Sequence, residues 1–98
     1  MPELGGDDIL VSKGQVLDEA KRLITGDRNQ AYDEPIVDFT RTAAMWSAYT
    51  GHHFDPHDVA VLMILVKVSR LASSPDRMDH WVDIAGYAGC GGEVQTRE

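Results

Sequence analysis

The sequence holds a single cysteine, Cys90, in 98 residues. One thiol cannot close an internal disulfide, so the fold does not depend on an oxidising compartment. Cations are also scarce: nine Lys and Arg face sixteen Asp and Glu, for a net charge of -7. That balance excludes wrapping a nucleic-acid polymer, which needs a basic patch. It leaves open a small nucleotide, whose phosphates a metal ion can carry between carboxylates. No apolar run approaches the about 20 residues that cross a bilayer. The start, Met1 to Asp8, has neither a basic region nor an apolar core, so it does not read as a signal peptide;. These absences point to a cytoplasmic protein with no membrane partner. No stretch alternates with a period of two, so no sheet is expected. No internal repeat, low-complexity segment or Gly-rich strand–loop–helix phosphate loop is present.

What the chain does have is helix. The hydrophobic share of 43% suits one globular domain rather than a disordered chain. The organising stretch runs from Asp55 through Pro56-His57-Asp58 into the apolar run Val59–Val66, and on to Lys67, Arg70 and Ala72. Asp55 is suited to cap a helix, Pro56 to its first position, and Asp58 to the positive end of its dipole. An apolar run that covers every side of a helix implies burial on every side. This helix is therefore expected to be the central post of the fold. Three further helices of ordinary length cover such a post incompletely, which predicts a homo-oligomer.

The remaining helices follow from caps and stripes. Ser12 caps a first helix reaching about Thr25, with Val16, Leu17, Ala20, Leu23 and Ile24 as its apolar side and Asp18 placed to pair with Arg22. Gly26 stops it. A polar loop over 27–34 leads to Pro35, which opens a second helix ending near Thr50-Gly51, with Phe39, Ala43, Trp46 and one of Tyr49 or Thr50 turned inward. After Ser73-Ser-Pro-Asp76, a last helix spans about Arg77 to Glu93, with Trp81, Ile84, Ala85 and Ala88 inward. Its glycines, Gly86, Gly89, Gly91 and Gly92, cost helix propensity, about 1 kcal/mol each against Ala. The compensation expected is close helix approach. The reading is an all-α, four-helix, bundle-like single domain: residues 1–10 an N-terminal arm, 11–94 the helical domain, 95–98 a tail.

Few residues carry chemistry. Lys67 and Arg70 share a face at the end of the central helix, and Asp79 and Asp83 share a face of the last one. A short connection makes the two helices antiparallel neighbours, which sets cations opposite acids. The pattern fits a structural ion-pair clasp. It also fits a polar site in which two carboxylates hold Mg²⁺ with waters while Arg and Lys take phosphate oxygens. His52, His53 and His57 crowd one loop, but they lack the ligand set of a zinc site. Cys90 has no activating neighbour and reads as a small buried hydrophobe. Trp46 and Trp81 read as core, and Tyr32 and Tyr87 as the aromatics best placed to meet a ligand.

The motif order Gly26-Asp27-Arg28-x-x-x-Tyr32, Trp46-Ser-x-Tyr49, Asp58-Val-Ala, Lys67-x-x-Arg70 and Asp79-x-Trp81-x-Asp83-x-x-Gly86-Tyr87 resembles a family of small phage and prophage proteins. More distantly, it is similar to the MazG-like all-α nucleoside triphosphate pyrophosphohydrolases. The enzyme resemblance implies an oligomeric helical bundle that binds Mg²⁺ through acids and cleaves a nucleotide between its α and β phosphates. It implies Asp79 and Asp83 as catalytic metal-holding acids, with Glu19 as a further metal ligand. Lys67 and Arg70 would hold phosphates, Tyr32 or Tyr87 would contact base or sugar, and Arg28 would belong to the substrate-binding set. Where the enzymes carry Glu-Glu-x-x-Glu, this chain has Asp18-Glu19-Ala-Lys-Arg22 and lacks the third acid. That departure makes a non-catalytic nucleotide-binding protein, or a helical interaction module, the alternative.

Overall fold

The computed structural model describes residues 11–26 and 34–98. The arm over 1–10, most of the loop over 27–34, and with it Arg28 and Tyr32, lie outside the described residues. Four helices occur among the described residues: α1 (Lys13–Thr25), α2 (Pro35–Thr50), α3 (Pro56–Ser73) and α4 (Met78–Gln95). No strand occurs among the described residues, and no helix among them is long and apolar enough to cross a membrane.

Local chemistry sets the starts of α1, α2 and α3 and the end of α2. Ser12 and Gln15 close a reciprocal capping box on α1: Ser12 N–H donates to Gln15 Oε1 at 2.8 Å, and Gln15 N–H to Ser12 Oγ at 3.1 Å;. Pro35 and Pro56 open α2 and α3, where a missing N–H removes no intrahelical bond;. At the start of α3, Asp55 N–H donates to Asp58 Oδ2 at 2.8 Å. Gly51 ends α2 with φ 76°, a left-handed conformation that costs an L side chain energy;. The connection from α2 to α3 is then fixed by Phe54 N–H donating to Ser47 Oγ at 2.9 Å. The Trp46 and Phe54 rings meet edge to face, 5.9 Å apart. α4 runs one residue later at its start and two at its end than the sequence suggests.

The architecture centres on an antiparallel hairpin of α3 and α4. Three contacts fix its register. Lys67 Nζ lies 2.9 Å from an Asp83 oxygen, Gly91 faces the Ala60 methyl, and His57 bonds Glu98. α2 packs on α3 and touches α4 lightly, and among the described helices α1 packs on α4 alone. The core is small: Phe39 and Ala43 of α2, Val59 and Ala60 of α3, and Val94 of α4, with Ile36, Trp46, Phe54, Met63, Tyr87 and Cys90 packed around them. Cys90 accordingly sits as a half-buried hydrophobe beside this core.

The expected role of the glycines holds at three of them. A Cβ on Gly91 would stand 2.7 Å from the Ala60 Cβ, and Cβ atoms on Gly86 and Gly89 would stand 3.3 and 3.2 Å from Ile24. These positions let α3 and α1 approach α4 closely.

Two packing expectations are overturned. α3 is not buried on all sides: Val59 and Ala60 are, but Val61 is 49%, Leu65 55% and Val68 47% exposed. Its run is apolar all round, while its neighbours cover only the flanks turned to α2 and α4. Trp81 is not core either, being 50% exposed on the outer side of α4. Smaller corrections follow the same logic. Leu17 and Tyr49 face outward, and Arg22 bonds Glu19, one residue beyond the Asp18 expected.

Candidate functional site

The corner where α3 gives way to α4 gathers the predicted charged residues. Lys67 and Asp83 meet across the hairpin at 2.9 Å, with both side chains mostly covered. Shielding from water strengthens such a pair relative to one on an open surface. Arg70, one turn further along α3, is exposed, and its guanidinium makes no hydrogen bond or ion pair with another described residue. Asp79 accepts from Arg77 at 3.0 Å, and these two side chains are open to water. His80, between the two acids, keeps Nδ1 buried with no hydrogen-bond partner. The corner therefore carries one closed ion pair, one unengaged cation and one unmet ring nitrogen.

The other predicted residues are spread more widely. Glu19 sits on α1 and accepts from Arg22 Nε at 3.0 Å. This bond holds its carboxyl below the usual range. The Tyr87 ring packs beside the core cluster. Asp79, Asp83 and Glu19 thus each face a cation.

A second polar group, which sequence spacing did not expose, forms at the opposite end of the hairpin. Asp55, His57 and Asp58 each offer a ligand atom within 4.8 Å of the others. His57 Nδ1 lies 2.7 Å from Glu98 Oε2, and His57 N–H donates to Glu98 Oε1 at 2.7 Å. His57 Nε2 is 3.5 Å from Asp58 Oδ1. The bond to Glu98, with Asp58 and Asp55 behind it, raises the imidazole pKa above 6.5. Glu98 is 41 residues away in sequence, so no local pattern could announce this meeting. His53 joins its fringe by bonding Asp55 at 2.7 Å, while His52 remains apart and exposed.

A cavity opens between the end of α1, the start of α2 and α4, with a volume near 150 Å³. Ile24, Thr25, Glu34, Pro35, Cys90 and Glu93 line it. It could hold a few waters, but it is far smaller than a nucleotide requires.

Comparison with known proteins places these features in context. The model of a domain of unknown function, DUF6378, matches residues 15–95. The chain is 43% identical over 75 residues to the Gene 55 protein of Mycobacterium phage D29, covering 76% of this chain and 50% of that protein. It is 42% identical over 84 residues to the Gene 55 protein of Mycobacterium phage L5, covering 85% of this chain and 54% of that one. The chain thus spans about half the length of these curated relatives. No solved structure matches.

Proposed function

The chain belongs to the DUF6378 family, with relatives encoded by mycobacteriophages, and from that premise we propose that it binds a small phosphorylated nucleotide at the α3–α4 corner. The observation that carries this reading is the exposed, unengaged guanidinium of Arg70 one turn from Lys67, in a chain whose net charge is -7. Where anions predominate, a cation left without a partner is available to an anion from outside. The Arg fork can take two phosphate oxygens, and Lys acts as a point charge beside it. Lys67 would then divide itself between the phosphate and Asp83.

The hydrolytic version of this proposal is a MazG-like nucleoside triphosphate pyrophosphohydrolase using Mg²⁺. As placed, the acids do not fit a metal cluster: Asp79 faces Arg77, Asp83 faces Lys67 and Glu19 faces Arg22. An ion held by Asp79 and Asp83 would require both to turn from these partners. The geometry therefore favours binding over turnover.

Thermal melting against a panel of nucleoside mono-, di- and triphosphates, with Mg²⁺ and with a chelator, tests both versions. A ligand that binds only the folded chain raises the melting temperature. Binding without turnover predicts a shift that survives chelation and is lost in Arg70→Ala. Hydrolysis predicts monophosphate plus pyrophosphate, released only with Mg²⁺ present. No shift with any nucleotide removes the proposal. In that case Lys67 and Asp83 simply clasp two helices, and Lys67→Met alters stability alone.

A further inference from the structure

The uncovered side of the α3–α4 hairpin has a definite composition, which follows from the contacts that fix its register. At about 100° per residue, Val61, Leu65, Val68 and Ala72 fall within roughly 60° of one another, centred about 130° around α3 from Lys67. On α4, Trp81, Ile84 and Ala88 occupy the same range measured from Asp83. The helices are antiparallel, so equal rotations from the shared Lys67–Asp83 contact turn both groups to one side of the hairpin. The buried Val59 turns the opposite way, toward Phe39 and Ala43 of α2. Gly86 and Gly89 also turn the opposite way, toward Ile24 of α1. Thus α1 and α2 cover one side of the hairpin, and nothing in the chain's described residues covers the other. Val61, Leu65, Val68 and Trp81 are each about half exposed there, and Ala72 and Ala88 are exposed as well.

We propose that this side is the two-fold interface of a homodimer, in which two α3–α4 hairpins close into an antiparallel four-helix core with α1 and α2 outside. Three observations select a second copy as the occupant. The spacing 61, 65, 68, 72 is the four–three–four pattern by which one helix packs along another, so the occupant is helical. The side is also free of acids. Asp79, Asp83 and Glu93 of α4 point elsewhere, and Asp58 lies beyond Val61 at the end of α3. In a chain of net charge -7, this is where two copies can approach with least repulsion. The size fits too. Helices of 18 residues are about 27 Å long. Two side by side present roughly 500 Å² in projection, and side-chain relief raises this toward the about 800 Å² per partner of a standard interface. A two-fold axis sets the same apolar residues on both sides, as self-association requires.

This inference stands apart from the nucleotide reading and is tested without any ligand. Sedimentation equilibrium of the full chain should give twice the 10.8 kDa chain mass, and Leu65→Glu should give the chain mass. Tyr49→Glu, on the outer side of α2, should leave the dimer intact. Helical circular dichroism of Leu65→Glu shows whether it folds. Should it not fold, the wild type decides: its melting temperature should rise with protein concentration, and Trp81 emission should shift to the red on dilution. A wild-type chain that sediments at its own mass, with concentration-independent melting, overturns the proposal. So does a folded Leu65→Glu that remains dimeric.

Discussion

The two ends of α3 are built from the same kind of residue and live in different surroundings. At the N-terminal end, Val59 and Ala60 are buried between Phe39 and Ala43 of α2 and the close approach of Gly91. At the C-terminal end, Leu65, Val66 and Val68 are 40–55% exposed, and the firm contact is the Lys67–Asp83 pair. The run Val59–Val66 is apolar at every position, so hydrophobicity cannot be what separates Val59 from Leu65 and Val66. The difference comes from the neighbours: a glycine that admits α3 at one end, and no covering helix at the other. Burial belongs to the pair of surfaces in contact rather than to the residue.

Substitutions can test how sharp this contrast is. Phe39→Ala empties the closed end and should cost about 3–5 kcal/mol, read as a large fall in denaturation midpoint. Tyr49→Ala, at a residue 92% exposed on the same helix, should stay within about 0.5 kcal/mol. Gly91→Ala would set a methyl 2.7 Å from Ala60 and should cost about 1–3 kcal/mol through overpacking. An unchanged midpoint would show that the two helices separate freely at their closed end. Lys67→Met at the open end should cost about 1 kcal/mol, because Asp83 keeps partial access to water. A double-mutant cycle with Asp83→Asn isolates that pair.

The smallest effect concerns pH. His57 has a raised pKa in the folded state through its bond to Glu98. Its contribution is therefore fully present below about 6.5, provided Glu98 is ionised, and is lost as pH rises through the folded value. Melting temperature should fall slightly across that window in the wild type. In His57→Gln the slope should flatten.

Much of the fold was legible because it rests on local chemistry. The Ser12 cap, Pro35, Gly51 and the Asp55-Pro56 start mark helix ends through backbone bonds made within a few residues. The all-α class and the tight glycine contacts followed from the same reading. The exposed side of α3 was not legible, because a run that is apolar at every position has no periodicity to say which side is open. Trp81 misled for a related reason: size and apolarity suggest a core without fixing a direction. At the candidate site, the pairing of Lys67 with Asp83 could be read from the short connection between helices. The turn of Asp79 toward Arg77 and the choice of Glu19 by Arg22 could not, since these depend on side-chain rotamers. The meeting of His57 with Glu98 depends on the register of the whole hairpin.

The seating of α1 has a consequence for how the molecule opens. Among the described helices α1 touches only α4, with Ile24 lying across Gly86 and Gly89. Swinging it away would break no contact of α2 with α3. Amides of α1 should then exchange with solvent through a low-energy local excursion, while those around Val59 and Val94 wait for the whole chain to unravel.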